Sequence, residues 1–100
     1  MVCHIVLLKC KSTVSEEDFR QLEAALQGLV GKIPGLQQVM FNKNTSPEGK
    51  HQGYTHGFYM MFENLTARDV YLTHPEHQQV KPFIRNVLAD ESEALLVIDL

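Results

Sequence analysis

Two runs at opposite ends of the chain, "VCHIVLLKC" from Val2 to Cys10 and "EALLVIDL" from Glu93 to Leu100, are apolar on both of their alternating faces. In the first, Val2, Val6 and Leu8 share a face with His4, while Cys3, Ile5 and Leu7 make up the other. In the last, Ala94, Leu96 and Ile98 alternate with Leu95 and Val97. Short runs of this kind, bounded by turn residues and rich in β-branched side chains, read as strands. A strand that is greasy on both sides needs cover on both sides. That requirement narrows what a chain of 100 residues can become.

The segments between the two runs supply the rest of the plan. In "STVSEEDF", Ser15 caps a helix and Asp18, three residues on, makes a capping box, while Glu16, Glu17 and Asp18 suit the positive end of the helix dipole. Phe19, Leu22, Leu26, Leu29, Val30 and Ile33 follow at helical spacing, and "IPGL" ends the helix. Leu36 to Asn44 reads as a strand, "NTSPEGKHQG" (Asn44 to Gly53) as a polar loop, and "YTHGFYMMFEN" (Tyr54 to Asn64) as a third strand. "LTARDVYL" starts a short helix with Thr66 as its cap and Asp69 three later. Pro75 interrupts it, and Val80, Phe83, Ile84, Val87 and Leu88 form the apolar stripe of a second helical piece.

The order β-α-β-β-α-β predicts an α+β, ferredoxin-like split βαβ fold with a four-stranded antiparallel sheet, in one domain spanning residues 1–100. Helices on one side of such a sheet leave its second face bare. An apolar bare face is not expected on a monomer, and a homodimer joining two sheets face to face is the simplest closed solution.

Charge and composition exclude several classes. Nine basic residues are scattered singly in a chain of net charge -3, so nothing tracks a phosphate backbone and no nucleic acid is expected as partner. No run of about 18 apolar residues exists to span a membrane. "MVCHIVLLKC" is too short and polar for a secretory signal. Cys3 and Cys10, seven residues apart on one strand, would lie roughly 23 Å apart and could not pair within it. Unpaired thiols without a signal point to a reducing, cytoplasmic setting.

Chemistry concentrates in "YLTHPEHQQVKP", Tyr71 to Pro82, which holds two of the five histidines. Tyr71 and His77 are six positions apart, and a continuous helix would turn them about 120° from a shared face. A break at Pro75 would let both reach one cavity facing His4 and His56. Those two histidines fall on strands that are neighbours in a ferredoxin-like sheet, His4 beside Val6 and Leu8, His56 beside Phe58, Met60 and Phe62. Imidazoles in such company need hydrogen-bond partners or a cavity. His74, next to Pro75, is expected to bond free backbone groups at the helix start. Gly57 leaves room for a backbone or ligand, His51 reads as solvated, and Met60 and Met61 read as core. The loop from Asn44 to Gly53 is expected to be mobile and to lie near the pocket mouth. No cysteine or carboxylate completes a metal-ligand spacing around these histidines, so no metal is expected, and the cysteines lack the surroundings of an activated thiol.

These segments resemble the stress-responsive dimeric α/β-barrel family, whose members share a first-strand histidine, here His4 in "CHIVLLK". They also share a "GYTH" entry to the third strand, here Gly53 to His56, and a "Y-x-x-H-P-x-H" segment, here Tyr71 to His77. The resemblance implies two protomers forming one barrel. In a plant polyketide cyclase of that family the matching tyrosine and second histidine act on a linear polyketide, while the strand histidines line the pocket. Carried over, this implies that Tyr71 and His77 are catalytic and that His4 and His56 bind substrate; Phe58, on the same face as His56, is expected to bind it with them. The "GFYMM" stretch, Gly57 to Met61, departs from that enzyme and implies a different pocket wall. The function implied is a cofactor-free cyclase or lyase that closes a ring in a poly-β-keto, hydrophobic small molecule, such as a polyketide synthase product, by aldol-type acid–base catalysis. Two readings stand beside it: a non-catalytic stress-response oligomer, and a cofactor-free monooxygenase or isomerase.

Overall fold

The computed structural model describes all 100 residues. Its elements run β1 (Val2–Leu8), α1 (Glu16–Gln27), β2 (Leu36–Lys43), β3 (His56–Phe62), α2 (Leu65–Leu72), α3 (Pro75–Val87) and β4 (Leu95–Asp99). The strands form one antiparallel sheet in the order β2-β3-β1-β4. This is the ferredoxin-like plan, with its second helical segment divided in two.

Alternation along β1 decides which face is buried. Val2, His4, Val6 and Leu8 pair across from Phe62, Met60, Phe58 and His56, and all of these lie on the side the helices cover. Leu22 and Leu26 of α1, Tyr71 of α2, and Val80 and Val87 of α3 close over them to make the core. Burying an aliphatic side chain of this size stabilises the fold by about 1.5–3 kcal/mol, so the first strand is a principal anchor.

The structure departs from the expectations in several details, the main ones each for a local reason. β1 stops at Leu8 instead of Cys10: Lys9 still donates its N–H to its in-register partner Ala94, but its carbonyl accepts from Ala89, outside β4, both at 2.8 Å. Helix α1 keeps the Ser15–Asp18 capping box but ends at Gln27, capped by Gly28. Beyond it, Leu29 and Val30 donate to carbonyls three residues back, the tighter bonding common at helix ends. The change of pitch keeps Leu29 and Ile33 buried but turns Val30 outward, to 41% exposure. Asn64, not Thr66, caps α2: its extended backbone puts Oδ1 2.9 Å from the Ala67 N–H, while Thr66 is already inside the helix. Phe83 leaves the expected core stripe and lines a surface groove between α1 and α3.

The opposite sheet face carries no helix. Ile5, Leu7, Leu96 and Ile98 lie on it by register, with Met40, Tyr59 and Met61. Met61 therefore belongs to the open face, while Met60 is fully buried. At the sheet edge the helices also stop short of β4, whose helix-side residues Leu95 and Val97 each remain 46% exposed. No helix is long and apolar enough to cross a membrane.

Candidate active site

The uncovered margin beside β4 is where the chemistry collects. Helix α2 ends at Leu72, and α3 begins at Pro75, whose fixed φ and missing N–H fit a first helical position. His74 caps the new helix: its Nδ1 accepts from the Glu76 N–H at 3.1 Å. The break between the helices folds His77 back against Tyr71, with ring centroids 4.4 Å apart. A continuous helix could not bring them together.

The same break sets the tautomer of His77. Its Nδ1 lies 3.0 Å from the Leu72 carbonyl, one of the acceptors a helix end leaves free. A carbonyl only accepts, so Nδ1 carries the proton and Nε2 presents a lone pair when the ring is neutral. Burial holds the His77 pKa below its ordinary value. The Leu72 bond opposes this, and the nearby Lys81 charge and the neighbouring His4 add to it. Tyr71 is only 1% exposed, and burial pushes its pKa up to about 12. Every fully enclosed side-chain nitrogen and oxygen in the molecule has a hydrogen-bond partner. The Tyr71 hydroxyl has none in the protein, so it opens into free space: a hollow of about 330 Å³ lined by His4, Phe58, Tyr71, His77, Leu95 and Val97, among others.

His4 enters this hollow from β1, 95% buried and edge-on to Tyr71 at 6.1 Å between centroids. Its Nδ1 donates to Asp99 Oδ1 at 2.7 Å, and Asp99 Oδ2 in turn meets Arg68 at 3.2 Å. Arg68 is also held by Asp69 at 2.8 Å. Asp99 and Arg68 were not legible as site residues from composition or spacing. The signal for Asp99 was an acid in line with Leu95 and Val97 on an apolar strand. Only the pairing of His4 with Asp99 across β1 and β4 gives it meaning.

His56 is not brought into this hollow. It sits at the far end of β3, opposite Leu8 and Lys43, with its ring stacked 4.2 Å from Phe19 and 5.9 Å from Phe41. Its Nδ1 meets Thr55 Oγ1 at 2.8 Å, and burial together with Lys43 lowers its pKa. It borders a separate, more polar hollow of about 620 Å³. The loop residues Asn44, Ser46, Glu48 and His51 line that second hollow, so the loop lies by His56 and not at the mouth of the Tyr71–His77 hollow. Gly57 also faces away from the site: a Cβ there would come within 3.0 Å of the Leu7 side chain and 3.1 Å of the Val6 carbonyl, so the neighbouring strand uses the space. No three histidine, cysteine or acidic side chains group as metal ligands would.

The sequence model of the Stress responsive A/B Barrel Domain matches residues 2–100. The stress-response A/B barrel domain-containing protein HS1 of Arabidopsis thaliana is 33% identical over 98% of this chain and 86% of its own length. Olivetolic acid cyclase of Cannabis sativa is 30% identical over 76% of this chain and 75% of its own. Among solved structures, a dimeric ferredoxin-like protein of unknown function from Jannaschia sp. CCS1 superposes with a TM-score of 0.85 at 28% identity, covering 99% of this chain and 96% of that one. With a family match running almost end to end, and a relative of one-third identity over nearly the whole chain, this protein belongs to the stress-responsive A/B barrel domain family.

Proposed function

We propose that the protein is a cofactor-free acid–base enzyme that closes a ring in a poly-β-keto small molecule. The observation that carries this reading is the pairing, at the wall of one apolar hollow, of an imidazole with a free basic nitrogen and a phenol with an unpartnered hydroxyl. A carbon between two carbonyls is acidic enough for histidine to deprotonate when the imidazole is neutral. His77 Nε2 takes that proton, and the electron pair of the broken C–H bond becomes an enolate. Tyr71 stays protonated at neutral pH and donates to the enolate oxygen. The enolate carbon then bonds to a second carbonyl carbon of the same chain, and the resulting alkoxide recovers the proton from the His77 imidazolium. His4, fixed by Asp99, offers its remaining nitrogen to a substrate oxygen, accepting from an enol when neutral and donating to a carbonyl when protonated. Phe58 supplies apolar wall. In this reading His56 packs the fold and does not bind substrate.

Similarity to an enzyme named olivetolic acid cyclase supports the reaction class. Linear poly-β-ketides incubated with the protein should cyclise faster than in buffer. His77→Ala and Tyr71→Phe should each lower that rate by about 10²-fold, the usual span for acid–base groups, while remaining folded by circular dichroism. Full activity in both variants would remove the assignment.

The assembly belongs to the same proposal. Ile5, Leu7, Met40, Tyr59, Leu96 and Ile98 form a helix-free apolar face, and the Jannaschia relative is described as dimeric. A second copy of this chain covers that face, sheet against sheet. Sedimentation at micromolar concentration should give twice the 11.4 kDa chain mass, and a single 11.4 kDa species would refute the dimer.

A further inference from the structure

The chain carries more acid than base, with 12 acidic against nine basic residues. The hollow at Tyr71 and His77 reverses this balance. Lys81 and Arg85 are among its lining residues, and no aspartate or glutamate is. Neither cation forms an ion pair with any carboxylate in the molecule; Lys11, Lys43 and Lys50 are also unpaired, but none of those lines this hollow. Lys81 is half-buried, with its charge felt at His77, and Arg85 is exposed. A cation held at the margin of an apolar hollow with no counter-ion is costly to desolvate and strongly available to an anion.

Spacing adds to this. His77, Lys81 and Arg85 recur every four residues along α3, so they form one row on the side of the helix that borders the hollow. At 1.5 Å of rise per residue, Lys81 stands about 6 Å and Arg85 about 12 Å along the axis from the base. The apolar part of the hollow, Phe58, Leu95 and Val97, lies across from that row on the sheet. At about 330 Å³ the space suits a small ligand, at the low end of the ~300–1,000 Å³ usual for such sites.

We infer that the substrate of this site is an anion: an apolar or keto chain that lies against the sheet, with a terminal carboxylate or phosphate held between Lys81 and Arg85. The inference rests on the acid–base reading for the direction in which the chain lies, but its own content is a charge preference that binding alone can measure. The row orients the chain, since an anchored anion one to two helical turns from His77 decides which carbon meets Nε2. It also selects against neutral and cationic chains of the same length.

The test is calorimetric titration of the full-length protein with four probes of equal chain length: octanoate, octyl phosphate, octanol and octyltrimethylammonium. Two partly solvated ion pairs predict that an anionic probe binds about tenfold tighter than octanol at low salt. That margin should shrink as salt is raised, and the ammonium probe should bind weakest. Lys81→Met with Arg85→Met keeps the apolar stems and should level octanoate, octyl phosphate and octanol. Tyr71→Phe should leave the margin in place. A preference for octanoate over octyl phosphate assigns the anion as a carboxylate, and the reverse order assigns a phosphate. Equal binding of octanol and both anions by the unmodified protein overturns the inference, as does a margin that survives the double variant. Because no turnover is measured, such a result leaves the acid–base reading intact. Retained anion preference in a His77→Ala protein of undiminished activity would do the opposite.

Discussion

His77 and His56 occupy the same side of one sheet, and in both burial is the main cause holding the ring below the ordinary histidine pKa. Their surroundings then separate them. His56 clusters with Phe19 and Phe41, its ring nearly parallel to both, so its surface is spent on packing. His77 touches one aromatic ring, has one nitrogen fixed by a helix-end carbonyl, and lines an apolar space shared with a free phenol, its other nitrogen without a partner in the protein. Lowered basicity is therefore common to a packing histidine and a candidate catalytic one. What distinguishes them is where the remaining lone pair points and what stands beside it.

The sharpest way to break this contrast is to truncate both rings. His77→Ala should lower cyclisation about 10²-fold, whereas His56→Ala should leave turnover within about threefold, since it removes no group near the reacting carbon. Equal losses in the two variants would mean that His56 reaches the substrate after all. On stability the order should invert. His56→Ala forfeits two aromatic contacts and should lose about 1–2 kcal/mol in urea unfolding, more than His77→Ala at the edge of the hollow.

A smaller effect is expected in the pH dependence. The base must be neutral to act, and its pKa is lowered, so the acid limb of kcat/KM should fall at a pH below the ordinary histidine value of about 6.5. Tyr71, held at about 12, should cause no alkaline loss up to pH 10. An acid limb above 6.5 would contradict the burial of His77. A limb unchanged in His77→Ala would assign it to another group.

The opposed histidines also show how far a one-dimensional reading reaches. Alternation along β1 and β3 correctly put His4 and His56 on the helix side, because side-chain direction in a strand depends only on position parity. It could not say how far apart they stand. His4 pairs with Met60 and His56 with Leu8, which separates them by several positions along the paired strands, and register comes from the whole hydrophobic pattern at once. Likewise Pro75 announced the break that joins Tyr71 to His77, while the Asn64 cap was missed because Thr66 offered an equally good local signal.

The order of elements, the buried face of β1, the capping box at Ser15 and the cap at His74 were determined by the sequence itself, through periodicity and short-range hydrogen bonding that a few neighbouring residues can settle. The tertiary structure alone decided that Asp99 steadies His4, that the helices stop short of β4, and that Lys81 and Arg85 stand unpaired at the hollow beside it. Those facts join residues up to 95 positions apart. They depend on how strands slide into register and how helices settle on a sheet, and no local pattern carries that information.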